Sequence, residues 1–146
     1  MTCSKPFCLV LLHGTSALRA EKILHEGFTS PDVYANKQGP HVYLTDTPDI
    51  AGHYAELVAR QDHSKPAILE ITVSERNLWA DEWSFDDPPA PVWRDWVDDE
   101  DDWYDGIVSH DIPSPVSPRD WATSLEVVHS VLHKGWIPVE CIRRAQ

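Results

Sequence analysis

The sequence predicts one α+β domain, and three stretches carry that expectation. Phe7 to Leu12 is a continuous apolar run of strand length. It runs through His13-Gly14-Thr15 to Ser16, a helix-capping residue, and on to a helical repeat of Leu18, Ile23 and Leu24. Pro66 to Val73, rich in Ile and Val and opened by a proline, is the clearest strand and is expected near the centre of the core. At 146 residues the chain suits one compact domain with a real core, so residues 1–146 are expected to form a single unit.

The remaining elements follow in chain order. Ala17 to Glu26 reads as an amphipathic helix stopped at Gly27. Thr29 to Pro40 carries turn chemistry, and its Lys37 is a solvated loop lysine before it is a phosphate ligand. His41 to Thr45 is a short strand. Thr45 or Thr47 then caps a helix with Pro48 in its first turn and Ile50, Ala51, Tyr54, Leu57 and Val58 at helical spacing. Ile107-Val108 suggests a short strand, Ile112 to Arg119 an extended proline-rich connection, and Leu125 to Leu132 a second apolar strand. Trp136 to Ile142 reads as a closing strand or short turn packed on the core.

Charge and composition narrow the function. The formal net charge is −12, and between Asp81 and Asp105 eleven carboxylates face Arg94 alone. A chain with this balance lacks the broad basic surface that a phosphate backbone requires, so nucleic acid is not the expected partner. The same segment holds Trp79, Trp83, Trp93, Trp96 and Trp103. Trp93, Trp96, Val97, Trp103 and Tyr104 can share one face of an acidic helix, whose carboxylates then form a solvated face in preference to a docking surface for a basic protein.

No apolar stretch approaches the ~20 residues that span a bilayer, and the start lacks a signal-peptide layout. A soluble, cytoplasmic protein without membrane contact is expected. Cys3, Cys8 and Cys141 have no zinc-like spacing, so reduced thiols are expected. His129 and His133 match a metal-ligand spacing only on a helix, and the stretch reads as strand, so no metal is expected. No glycine-rich phosphate loop or Gly-x-Gly-x-x-Gly is present.

What remains is a polar constellation on the predicted strands. His13 is placed at the end of the first strand, and Gly14 beside it leaves a backbone N–H and C=O open to a flat amide. Tyr43 lies on the second strand and Glu126 among the apolar residues of a late one. The order of His13-Gly14-Thr15, Tyr43 and Glu126 resembles the ADP-ribosyltransferase superfamily. More narrowly it is similar to the His-Tyr-Glu branch shared by diphtheria-toxin-like enzymes and the poly-ADP-ribose polymerases. The resemblance runs from Leu11 to about Ile142, with an acidic, tryptophan-rich divergent middle at residues 79–121. In that branch a second tyrosine follows the first by eleven residues, as Tyr54 follows Tyr43 here.

The resemblance implies a fold of two packed, mainly antiparallel sheets flanked by helices, and an NAD-dependent mono-ADP-ribosyltransferase. Cleaving the nicotinamide–ribose bond builds positive charge on the sugar, so a carboxylate beside it is required. Glu126 is the catalytic residue in this reading. His13 holds a ribose hydroxyl, Gly14 and Thr15 complete the NAD-binding segment, and Tyr43 and Tyr54 stack on the nicotinamide. Structural alternatives stand beside these roles: a turn histidine, a core aromatic at Tyr54, a solvent-facing glutamate.

Two departures bear on the acceptor and the amide contact. Ala51 stands where polymerases carry a serine. Ser124, two residues before Glu126, replaces the Glu or Gln of arginine-modifying toxins and makes arginine an unsuitable acceptor. The expected partners are NAD and a protein acceptor. The alternatives are an NAD glycohydrolase, an enzyme like the RNA 2′-phosphotransferases, which have histidine at the Tyr43 position and no counterpart of Glu126, or a non-catalytic binding module on the same fold.

Overall fold

The computed structural model describes residues 8–28, 41–86, 91 and 113–145. Six antiparallel strands form one sheet in the order β4-β5-β2-β1-β3-β6. In chain order these are β1 (Cys8–Ser16), β2 (His41–Thr45), β3 (Pro66–Ser74), β4 (Leu78–Ala80), β5 (Ser130–Lys134) and β6 (Ile142–Arg144). Among the described residues four α-helices have a full range: α1 (Ala17–Glu26), α2 (Pro48–Asp62), α3 (Glu82–Asp86) and α4 (Trp121–Val128).

Local signals set the helix boundaries. Ser16 Oγ accepts from Arg19 N at the start of α1, and Gly27 ends it at φ 73°. Thr47 caps α2 with Pro48 in the first turn, and His63 ends it in the left-handed region. The buried stripe of α2 is Ile50, Ala51, Ala55 and Ala59, whereas Tyr54 and Leu57 are exposed. Two of the five residues of the expected apolar repeat therefore face out.

Alternation along the strands sorts the sheet into two faces. Leu11, Val42, Leu44, Leu69, Ile71, Leu78 and Val131 build the main core with Ala20 and Ile23 of α1 and with Phe28, Ile137 and Ile142. Trp121 and Leu125 of α4 pack against the same cluster. The other face of β1 carries Gly14, and α2 lies against it.

The two packed sheets implied by the resemblance are not present among the described residues, where the strands form one sheet. The sheet has two tightly registered halves, however. β1 pairs with β3 over nine positions from Cys8–Ser74 to Ser16–Pro66, and β2 pairs with β5 over five. Between the halves, β1 and β2 register at one position, Leu12–Thr45.

β3 is central to the core as expected: it is paired on both sides, one strand from the sheet's edge, and gives Leu69, Ile71 and Val73 to the main cluster. Two further expectations change. β1 continues through His13, Gly14 and Thr15 to Ser16, so His13 lies within the strand and not at its end. The run Leu125 to Leu132 is not one strand. Asp120 caps α4 by accepting from Thr123 N, Ser124 and Val128 form its buried side, His129 closes it at φ 56°, and only then does β5 begin. A short apolar run is ambiguous between strand and buried helix, and here the cap decided.

The thiol expectation also changes, because Cys8 is disulfide-bonded, whereas Cys141 is in no disulfide. An odd count leaves room for one pair. The loop at 29–40 with Lys37, the aromatic helix through Trp93 and Trp103, and the strand at Ile107-Val108 lie outside the described residues. No helix among the described residues is long and apolar enough to cross a membrane.

His133 sits on the core face of β5, buried between Val42 and Leu78, with no hydrogen-bond partner for Nδ1 among the described residues. Burial holds its pKa down to about 4, against the opposing effect of a hydrogen bond to the Gly135 backbone. The unfolded chain therefore takes up this proton first as pH falls, and the stability from a neutral His133 is present above about pH 6.5 and is lost toward pH 4. The loss amounts to roughly 3 kcal/mol at most. Melting curves from pH 7.5 to 4 should show His133→Leu with a shallower acid limb than the wild type, and identical limbs would show that other groups set the acid sensitivity.

Candidate functional site

The parting of β1 from β2 opens a cleft of about 460 Å³, lined by Gly14, Ala51 and Tyr54 on the α2 side of the sheet and by Phe28, Val42 and Leu44 on the core side. If the register continued past Leu12–Thr45, Gly14 would lie opposite Tyr43. Instead the strands separate there, and a side chain does what a ladder bond would have done. His13 Nδ1 donates to the Tyr43 carbonyl at 3.1 Å.

That bond fixes the chemistry of the ring. A carbonyl only accepts, so Nδ1 carries the proton and Nε2 is left as an acceptor in the neutral imidazole. Burial, the largest cause, and the nearby Arg19 charge lower the His13 pKa, while the bond to Tyr43 opposes them. The edge-on ring of Phe28, 5.2 Å away, holds the imidazole plane. His13 thus enters the cleft as a neutral group able to accept a hydroxyl.

Gly14, Thr15, Tyr43 and Tyr54 line the same cleft with His13. The two tyrosines are 48% and 38% exposed, which leaves ring surface open to a ligand in a region otherwise walled by Leu12, Ile50 and Ala51. Burial and then the charge of Asp81 raise the Tyr43 pKa, so its phenol stays protonated.

Gly14 has a structural reason beyond ligand access. A Cβ there would fall 1.9 Å from the Ala51 carbonyl oxygen and 2.8 Å from Ala55 N. Glycine lets α2 cross β1 at backbone contact, and the same contact places Ala51, which offers no hydroxyl, in the cleft wall.

Glu126 is not brought to this cleft. It lies on the exposed side of α4 and is absent from the cleft's lining. Ser124, two residues earlier, is buried and bridges the elements: its Oγ accepts from Asp81 N at 2.8 Å and donates to the Ser130 carbonyl at 2.6 Å.

The carboxylate that does line the cleft is Asp81, which is 4% exposed. It follows β4 and would be next in register opposite Ser130, extending a row Asp81–Ser130–Thr45–Leu12 across the sheet. Its Oδ2 accepts from Ser130 Oγ and from Ser84 Oγ, both at 2.6 Å, and its Oδ1 accepts from Ser84 N at 3.2 Å. Sequence reading submerged Asp81 in the acidic run. The signal that marks it is Asp81-Glu82-Trp83-Ser84, an aspartate at a helix-cap position with its partner three residues on.

Arg19 also lines the cleft but is committed elsewhere. Its Nε and Nη2 donate to Asp62 at 2.8 and 3.1 Å, and Ser16 Oγ donates to the same carboxylate. The Arg19 contact first, then Ser16, hold the Asp62 carboxyl below its usual range. The pair ties the start of α1 to the end of α2. Among the described residues no group of three or more His, Cys, Asp or Glu is placed to hold a metal ion.

No protein-family model matches the chain, and no curated protein matches it.

Gly14→Ala should destabilise the protein by roughly 1–3 kcal/mol, toward the upper end because the clash is with backbone. Urea unfolding checks this. A variant as stable as the wild type would mean that α2 can lift off β1 freely.

Proposed function

We propose that the chain is an NAD-dependent mono-ADP-ribosyltransferase that holds the nicotinamide end of NAD in this cleft and passes ADP-ribose to a macromolecular acceptor. The observation that carries the reading is convergence. His13, Gly14, Thr15, Tyr43 and Tyr54 come from β1, β2 and α2 and line one cleft. The cleft's volume of about 460 Å³ suits a buried ring and sugar.

Each residue has a task that its environment supports. The exposed tyrosine rings stack on a cationic pyridinium, which an electron-rich π face favours. His13 Nε2 accepts from a ribose hydroxyl, because its other nitrogen is already spent on Tyr43. Heterolysis of the glycosidic bond then releases neutral nicotinamide and leaves a cationic ribosyl carbon for the acceptor. A protein acceptor fits the strong net negative charge of −12 better than a nucleic acid does.

A second reading, a module that binds NAD without cleaving it, is favoured by the place of Glu126 on the exposed side of α4. The two readings part in one experiment. Incubation with labelled NAD and a cell lysate should put label into protein and release nicotinamide. Label recovered only as free ADP-ribose would mean hydrolysis, and intact NAD throughout would favour the binding module.

Binding is testable separately from turnover. Tyr43→Ala should weaken NAD binding by on the order of 0.5–2 kcal/mol, the worth of one stacking face. Calorimetry measures it, and unchanged affinity would remove Tyr43 from the site.

A further inference from the structure

The reaction proposed above needs a carboxylate, and the residue chosen from the sequence stands on the wrong element to supply it. We infer that Asp81, acting through the hydroxyl of Ser130, is the carboxylate that serves the cleft. This rests on the reading of the cleft as an NAD site.

Three observations converge on the pair. Asp81 and Ser130 both line the cleft, in a row with Thr45 and Leu12 that runs beneath the ligand space. Ser130 Oγ donates to Asp81 Oδ2 at 2.6 Å, so its own lone pairs stay available to accept from a sugar or acceptor hydroxyl. The charge of Asp81 is felt at Tyr43, the ring assigned to the nicotinamide.

The surrounding bonds make the pair rigid. Ser84 holds Asp81 through backbone and side chain, and Ser124 fastens the Asp81 backbone to the start of β5. A fixed negative charge beside a developing cation stabilises it without reorganising at the moment of reaction. Such an arrangement is preorganised.

The step balances as follows. The C1′–N bond breaks and its electron pair leaves with nicotinamide. The acceptor's nucleophilic atom bonds to C1′, its proton passes to Ser130 Oγ, and Ser130 passes its own to Asp81. Ser130 touches the reacting groups, and Asp81 positions and charges it.

Steady-state NAD cleavage and calorimetric NAD binding on Asp81→Asn, Ser130→Ala and Glu126→Gln test the inference. Asp81→Asn should lower kcat by about 100-fold or more while KM and NAD affinity change by less than about threefold. Ser130→Ala should lower kcat by about tenfold and also flatten the pH dependence of kcat, which loss of packing alone would not do. If Asp81→Asn does not fold, Ser130→Ala decides. Unchanged kcat in the folded variants, or a loss confined to Glu126→Gln, overturns the assignment. Wild-type protein that binds NAD but cleaves none overturns the role of Asp81 and leaves the binding site standing, whereas absence of NAD binding overturns both.

Discussion

The architecture depends on the incomplete union of β1 and β2. Had their ladder continued, Gly14 would be paired opposite Tyr43 and the sheet would be closed where the cleft now lies. The separation is tolerated because the strands are held elsewhere, β1 by nine positions with β3 and β2 by five with β5. His13 then spans the gap with a bond to the Tyr43 carbonyl. One side chain thus satisfies a backbone acceptor and fixes its own tautomer.

The two walls of that opening are built by different means. On one side, backbone contact between Gly14 and Ala51 seats α2 directly on β1, and the Arg19–Asp62–Ser16 contacts lock the ends of α1 and α2 together. On the other side, buried polar groups do the work. Asp81, Ser84, Ser124 and Ser130 are all almost wholly buried, and each hydroxyl or carboxylate has a partner among the others or in the backbone. A buried carboxylate without partners would be costly, so Ser84 and Ser130, which donate to it, are what permit a charge at that depth, while Ser124 holds its backbone.

Much of this was legible in the sequence, and the errors have physical causes. The caps at Ser16 and Thr47, the glycine stop at Gly27 and the β2 strand follow from local chemistry that tertiary context did not override. The five residues assigned to ligand binding line one cleft even though β1 runs on to Ser16, past the Leu12 at which the apolar run ends. Glu126 failed as a strand residue because Val127-Val128 has β-propensity, while the Asp120 cap and the Trp121, Leu125, Val128 spacing define a helix. Gly14 was credited with leaving room for a ligand when its first duty is to leave room for α2. Asp81 was invisible for a different reason: charge counting treats every carboxylate in a run alike, and burial distinguishes them only in three dimensions.

The charges that remain in the cleft explain what it is suited to hold. Arg19 is neutralised by Asp62, His13 is kept neutral by burial, and Tyr43 is kept protonated. Asp81 therefore supplies the cleft's uncompensated negative charge among the described lining residues, with only hydroxyl and amide donors around it. A ligand that is positive where it meets the tyrosines gains from both the π faces and this carboxylate. The anionic end of the dinucleotide proposed as ligand would gain nothing from a chain of net charge −12 and would be held by hydrogen bonds and shape. In the reaction proposed for this cleft, the ring would leave uncharged while the sugar became cationic, so the electrostatic preference of the cleft would move from the ring to the reacting carbon. Under that proposal the shift would favour the transition state over bound substrate, which is what separates catalysis from binding.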